Sequence, residues 1–188
     1  MPTKKHLKPG NPVKRIELAG HSVVFRYPRW KDVPDYTRVM NSLVRERSFN
    51  GILKRTTMKK EKKWFSDIFK KMKKGDMVML IAEVDGGFAG DALVERKPLE
   101  ANKHVCTIGI QLHKDFRGKG IGTELMKAII QQAKDTLGSR VLELRVIEPN
   151  ESAMRAYERL GFKATGKVPK GFNYYGRYCD EIIMVREI

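Results

Sequence analysis

Three glycines, Gly118, Gly120 and Gly122, stand where an alternating apolar run (HVCTIGIQL, 104–112) gives way to helical spacing. Few features restrict a fold so tightly. A strand must end, the chain must turn through backbone conformations closed to most side chains, and a helix must start at once. The turn also has a chemical consequence. Glycines let backbone N–H groups approach a ligand, and the first turn of a helix adds free donors and positive potential. Arg117 and Lys119 bring side-chain charge suited to phosphate. The stretch Arg117, Gly118, Lys119, Gly120, Ile121, Gly122 and Thr123 therefore reads as an anion site of pyrophosphate size, although such turns also serve close packing alone. Two other phosphate motifs fail on spacing: no Gly-Lys-Ser/Thr occurs, and the glycines do not form Gly-x-Gly-x-x-Gly.

The rest of the chain fits around this junction. HSVVFRY (21–27) alternates like a strand and ends at Pro28. A helix follows from Asp32, an N-cap candidate, with Val33, Tyr36, Val39, Met40 and Leu43 on one stripe. SFNGILKRTT reads as a loop, and residues 59–74 as a second helix with Trp64, Phe65, Ile68, Phe69 and Met72 inward and Gly75 as its stop. MVMLIAEV (77–84) and FAGDALVE (88–95) form a hairpin about Gly86 and Gly87, and 104–112 is the fourth strand. A helix spans Gly120 to Leu137. VLELRV (141–146) is the fifth strand, 151–160 a short helix, and KATGKV (163–168) and EIIMV (181–185) the last strands. The pattern predicts one α+β domain over 21–188, a mixed, mostly antiparallel sheet of six to seven strands with helices on both faces. Residues 1–20 read as a basic lead-in, partly disordered at its tip.

The 188 residues suit one domain with a real core. No apolar run approaches a membrane span or a secretory leader, so no membrane association is expected. Cys106 and Cys179 lack metal-ligand spacing and are too few for a disulfide scaffold, so no metal and a reducing, cytoplasmic setting are expected. Cys106 reads as a small core residue. The charge is uneven: residues 1–75 carry 21 Lys+Arg against 6 Asp+Glu, whereas 76–188 carry 17 against 16. This basic portion is either a solvated surface or an attractor for an anionic partner such as RNA or an acidic protein surface.

RGKGIG (117–122) resembles the R/Q-x-x-G-x-G/A signature of the GNAT superfamily of N-acetyltransferases. NESAMRAYERLGF (150–162) is similar to that family's second block through Asn150, Ala153, Tyr157, Gly161 and Phe162. The order of elements agrees along nearly the whole chain. The resemblance implies an acetyl-coenzyme A donor and a sheet splayed between the fourth and fifth strands. It places the pantetheine arm beside Ile110, Gln111 and Leu112, where a backbone N–H would polarise the thioester carbonyl. Asn150 would cap its helix, contact the coenzyme, or do both. Tyr157 would donate to the departing thiolate, its unperturbed pKa of about 10 keeping it protonated; its plain alternative is a packed core tyrosine.

GRYCDEIIM (176–184) resembles the ending of the ribosomal-protein N-terminal acetyltransferases, which carry a glutamate base on the fifth strand. Arg145 stands at the matching place, so Glu143, His113 and Glu46 are substitutes and the base stays open. In the family the first two helices, their loop and a segment matching Phe172–Tyr178 wall the acceptor. Their basic charge disfavours small polycations unless local acids intervene, which ranks a protein N-terminal or lysine amine above a small amine metabolite or antibiotic. A noncatalytic coenzyme-binding domain and a nucleic-acid-binding module using the Lys-rich helix remain alternatives, as does a homodimer.

Overall fold

The computed structural model describes residues 7–188. In chain order these hold strands β1 (Pro12–Leu18) and β2 (His21–Arg26), helices α1 (Val33–Arg45) and α2 (Met58–Lys74), and strands β3 (Met77–Val84), β4 (Gly87–Arg96) and β5 (Val105–Leu112). Helix α3 (Ile121–Leu137), strand β6 (Val141–Ile147), helix α4 (Glu151–Arg159) and strands β7 (Lys163–Tyr174) and β8 (Arg177–Glu187) complete the order. One eight-stranded sheet runs β1-β2-β3-β4-β5-β6-β8-β7, antiparallel except between β5 and β6.

The sheet has eight strands rather than six or seven because β1 lies inside the expected basic lead-in and pairs with β2, Ile16 against Val23. Its Val13, Ile16 and Leu18 pack on the core. An irregularity between Pro12 and Lys14 breaks the alternation, and charged residues sit between the apolar ones, as suits an edge strand. The disorder expected at the tip falls on residues 1–6, outside the described residues. The last hairpin is also longer than its apolar runs. Pro169 sits in β7, the opposite edge strand, where a register shift between Val168 and Phe172 accommodates it.

From Met77 to Ala82 every β3 residue is buried, which requires cover on both faces of the sheet. Helix α3 packs against β3, β4 and β5; α1 and α2 pack against β4 and β3. The predicted stripe of α1 is buried at Val33, Tyr36, Val39, Met40 and Leu43. Thr57 caps α2 by accepting from the Lys60 N–H, and Gly75 ends it at φ 79°. Asp32 occupies the N-cap of α1 without capping it. Its carboxylate instead accepts from both terminal nitrogens of the buried Arg26, each at 2.8 Å, and from the Arg29 N–H. Glu83 accepts from Arg26 Nε at 2.8 Å, so a desolvated guanidinium is satisfied by two acids.

Candidate active site

Strands β5 and β6 pair at only three positions, Val105 with Val141, Cys106 with Leu142 and Thr107 with Glu143, and then part. The sheet is thus split where the fourth and fifth strands of the sequence reading were expected to splay. The edge this exposes follows from ladder geometry. Lys97 donates to the Val105 carbonyl and His113 to that of Ala89, so the odd-numbered residues of β5 bond to β4. Alternation leaves the backbone groups of Ile108, Ile110 and Leu112 facing the gap. Gln111 therefore bonds β4 through its backbone, and the residue lines two adjoining cavities at the gap.

The larger cavity, about 900 Å³, runs from this edge to the start of α3. Gly118 and Gly120 adopt φ of 73° and 80°, the left-handed region that the turn requires. Both line the cavity, as do Gly122, Thr123, Ile110, Leu112 and Arg117. Two members of the predicted stretch point elsewhere. The Ile121 side chain is fully buried in the core. Lys119 Nζ lies 3.2 Å from His21 Nε2, beside Asp85, so any contact from these two residues to a cavity ligand would be through backbone. Arg117 is already engaged: Nε donates to the Leu112 carbonyl at 2.9 Å and a terminal nitrogen pairs with Glu46.

Helix α4 closes the other wall. Asn150 caps it, its side chain accepting from the Ala153 N–H, and also borders both cavities. Tyr157 faces both cavities, and among the described residues nothing bonds its hydroxyl. The side chain is half-buried by its own surface, yet enough protein surrounds the phenol that its pKa is pushed up to about 12 by loss of hydration. It stays protonated across the physiological range and so keeps a proton to donate.

The smaller cavity, about 330 Å³, lies across the gap. Phe49, Asn50 and Gly51 of the α1–α2 loop wall it together with Phe172. The β7–β8 tip is tied to that loop: Tyr174 donates to the Arg47 carbonyl, and the Tyr175 hydroxyl lies 3.3 Å from the Val44 carbonyl under the Arg47 guanidinium. The two segments expected to form an acceptor wall are thus brought together.

The substitutes for a base are mostly occupied. Glu143 pairs with Lys97 at 2.6 Å and, more weakly, Arg145, and Lys97 chiefly holds its carboxyl below the ordinary range. His113 sits by Asp115 and borders neither cavity. Glu46 reaches the mouth of the larger cavity but is bound to Arg117. Arg145 borders the smaller cavity, with its charge met by Glu181 and Glu143. One acid was missed by sequence reasoning. Asp91 of β4 is 2% exposed, borders the smaller cavity, and has its carboxyl pushed up to about 8 by burial first and by Glu61 second. A lone Asp inside the apolar run FAGDALV was the available signal. Cys106 is buried, with its thiol pushed up by burial, as befits a packing residue.

A model described as the acetyltransferase (GNAT) family matches residues 40–162. The L-amino acid N-acyltransferase MnaT of Escherichia coli (strain K12) is 26% identical over 107 residues, covering 56% of this chain and 62% of that protein. The chain thus spans a little under two thirds of the length of this curated relative. Among solved structures, a ribosomal-protein-alanine N-acetyltransferase from Brucella melitensis superposes with a TM-score of 0.77 at 20% identity, covering 87% of this chain and 99% of that one. The structure of yncA from Salmonella typhimurium, solved with its cofactor acetyl-CoA, gives 0.78 at 19%, covering 88% and 93%.

Proposed function

The chain belongs to the acetyltransferase (GNAT) family, and we propose that it transfers an acetyl group from acetyl-coenzyme A to a primary amine by direct attack within a ternary complex. The observation that carries this reading is the split itself: an edge left unpaired by β6 at Ile108 and Ile110, leading past Leu112, whose carbonyl Arg117 holds, to a glycine turn at the start of α3. A pantetheine arm carries amide groups and can pair along such an edge like an added strand. The residues present fit the donor. Gly118, Gly120 and the first amides of α3 suit a diphosphate, and the 900 Å³ cavity has room for the arm.

In this reading a backbone N–H of Ile110 or Leu112 polarises the thioester carbonyl and stabilises its oxyanion. Tyr157 donates a hydrogen bond to sulfur as the C–S bond breaks. A phenol near 12 is a weaker acid than a thiol, about 8.5, so its contribution is charge stabilisation more than full proton transfer. The fixed walls hold amine and thioester in line, and that orientation supplies much of the rate.

The acceptor is an amine on a small body, of about amino-acid size. The 330 Å³ cavity supports this, as does the substrate in the name of the Escherichia coli relative. The charge argument disfavoured small polycations only without local acids, and Asp91 and Glu61 are two buried acids, of which Asp91 borders the smaller cavity. A second reading, the N-terminal amine of a polypeptide, is favoured by the basic character of residues 1–75. An acceptor panel of free amino acids, peptides with varied N-termini, lysine peptides and polyamines, with released thiol as readout, separates them. Turnover of small amines with none on peptides is expected; no thiol release with any amine would overturn the acyl-transfer reading.

A further inference from the structure

Asp91 is unusual among the buried polar groups. Arg26 and Asp32 satisfy each other, but among the described residues no hydrogen bond or ion pair engages the Asp91 carboxylate. Its cross-strand neighbour is Gln111, whose Oε1 is buried without a partner among the described residues. An amide oxygen without a partner among the described residues thus belongs to the cross-strand neighbour of a buried carboxyl, and both residues border the smaller cavity. Leaving such groups unpaired is costly, and a carboxylate most of all. The chain carries a net charge of +16, so cations are not scarce. Among the described residues, none of them pairs with Asp91.

From the cavity, the orphaned oxygens and the nearby split in the sheet, we infer that Asp91 and Gln111 receive the acceptor's primary ammonium group and that Asp91 takes its proton. This rests on the acyl-transfer reading above and names the group that reading lacked. A primary ammonium has one charge and three N–H donors, which suits one carboxylate and one amide oxygen. An alcohol or a neutral amide brings no charge with which to draw the carboxyl into its ionised form.

The surroundings tune the acid for this task. Glu61 of α2 is itself buried and adds a second negative charge near Asp91; Tyr36 of α1 bears on both and is held protonated far above its ordinary range, by burial first. Arg145 of β6 borders the same cavity but is neutralised by Glu181 and Glu143. With Asp91 pushed up to about 8, the carboxyl is a far stronger base than an exposed aspartate and close to the working pH. Asp91 accepts one proton from the ammonium, and the freed nitrogen attacks the thioester carbon. The C–N bond forms, the C–S bond breaks, and a second proton leaves nitrogen as the thiolate is protonated. Overall an ammonium and a thioester give an amide, a thiol and one proton, which Asp91 returns to solvent.

The test uses the full chain saturated with coenzyme A, titrated calorimetrically with ethylammonium and, as its uncharged counterpart, ethanol. Repeating this in buffers of different ionisation enthalpy counts the protons released. Because Asp91 is mostly protonated at about pH 7, ethylammonium should release close to ~1 proton there and about half that near pH 8. Asp91→Asn, the same shape, should bind ethylammonium about tenfold or more weakly and release none, with coenzyme A affinity unchanged. Glu61→Gln should retain binding but move the proton-release profile to lower pH, since a repelling charge is gone. Equal affinity and proton count in Asp91→Asn, or no discrimination between ethylammonium and ethanol by the unaltered chain, overturns the assignment. If the unaltered chain fails to bind coenzyme A, acyl transfer itself is refuted and this inference with it, so the two failures are distinguishable.

Discussion

Glu46 holds the guanidinium of Arg117 across the mouth of the larger cavity, joining the end of α1 to the residue that opens the glycine turn. The arginine best placed for a phosphate is therefore met first by a carboxylate, and a bound diphosphate has to share it or face Glu46 directly.

Glu46→Gln should accordingly tighten coenzyme A binding, by about two- to fivefold, the scale of a partly exposed ion pair. The gain should fade at high salt, because exposed charges are screened. Calorimetric titration at two ionic strengths checks both. A weaker affinity in this variant would mean that Glu46 positions Arg117 for the phosphate.

Tyr157→Phe removes a hydroxyl that nothing else in the described chain uses and leaves the packing of the ring against Phe162 in place. Turnover should drop about 10- to 100-fold with little change in KM, the loss expected when an interaction is made only as the thiolate develops. Steady-state rates with the best acceptor of the panel decide this; unchanged turnover would reduce Tyr157 to a wall residue.

Asp91 also makes stability depend on pH, and the sign is fixed. Its folded carboxyl, raised to about 8, lies far above its unfolded value of about 3.9. The folded state binds the proton more tightly, so this group costs nothing below about pH 4 and destabilises progressively as pH climbs through 8. Asp91→Asn should therefore raise urea stability by a few kcal/mol at about pH 9 and by little at about pH 4.5. A pH-independent difference between the two proteins would show that the carboxyl titrates normally.

Arg26 offers a control far from the chemistry. Its removal leaves Asp32 and Glu83 desolvated without their shared cation, so Arg26→Ala should cost about 3–5 kcal/mol in urea unfolding.

Much of this architecture was legible in the residues. Periods of two and of 3.6 located β2 to β6 and all four helices within a few positions, because each buries one regular face. β1 was hidden by charges placed between its apolar side chains and by a bulge, both properties of an edge that local patterning treats as loop. The glycine turn was legible because spacing encodes it, whereas Tyr157 was singled out by the family resemblance of its segment and by no periodicity of its own. Asp91 was not, since its meaning lies in Glu61, thirty positions away on another element, and in the lack of a paired cation among the described residues, and neither is a local property. Asp32 was assigned a cap because the rule for caps sees only the following turn, whereas Arg26 lies upstream on a strand.

The three rungs joining β5 to β6 leave everything beyond Thr107 free to diverge, so the two portions of the sheet meet like the jaws of a clothes-peg with its spring at one end. Opening the jaw further bends that short spring and breaks no long ladder of bonds. Under the acyl-transfer proposal a bulkier acyl chain would ask only for small angular give, so turnover with a propionyl thioester should fall little below that with the acetyl donor, a comparison of steady-state rates that tests the connectivity of the sheet.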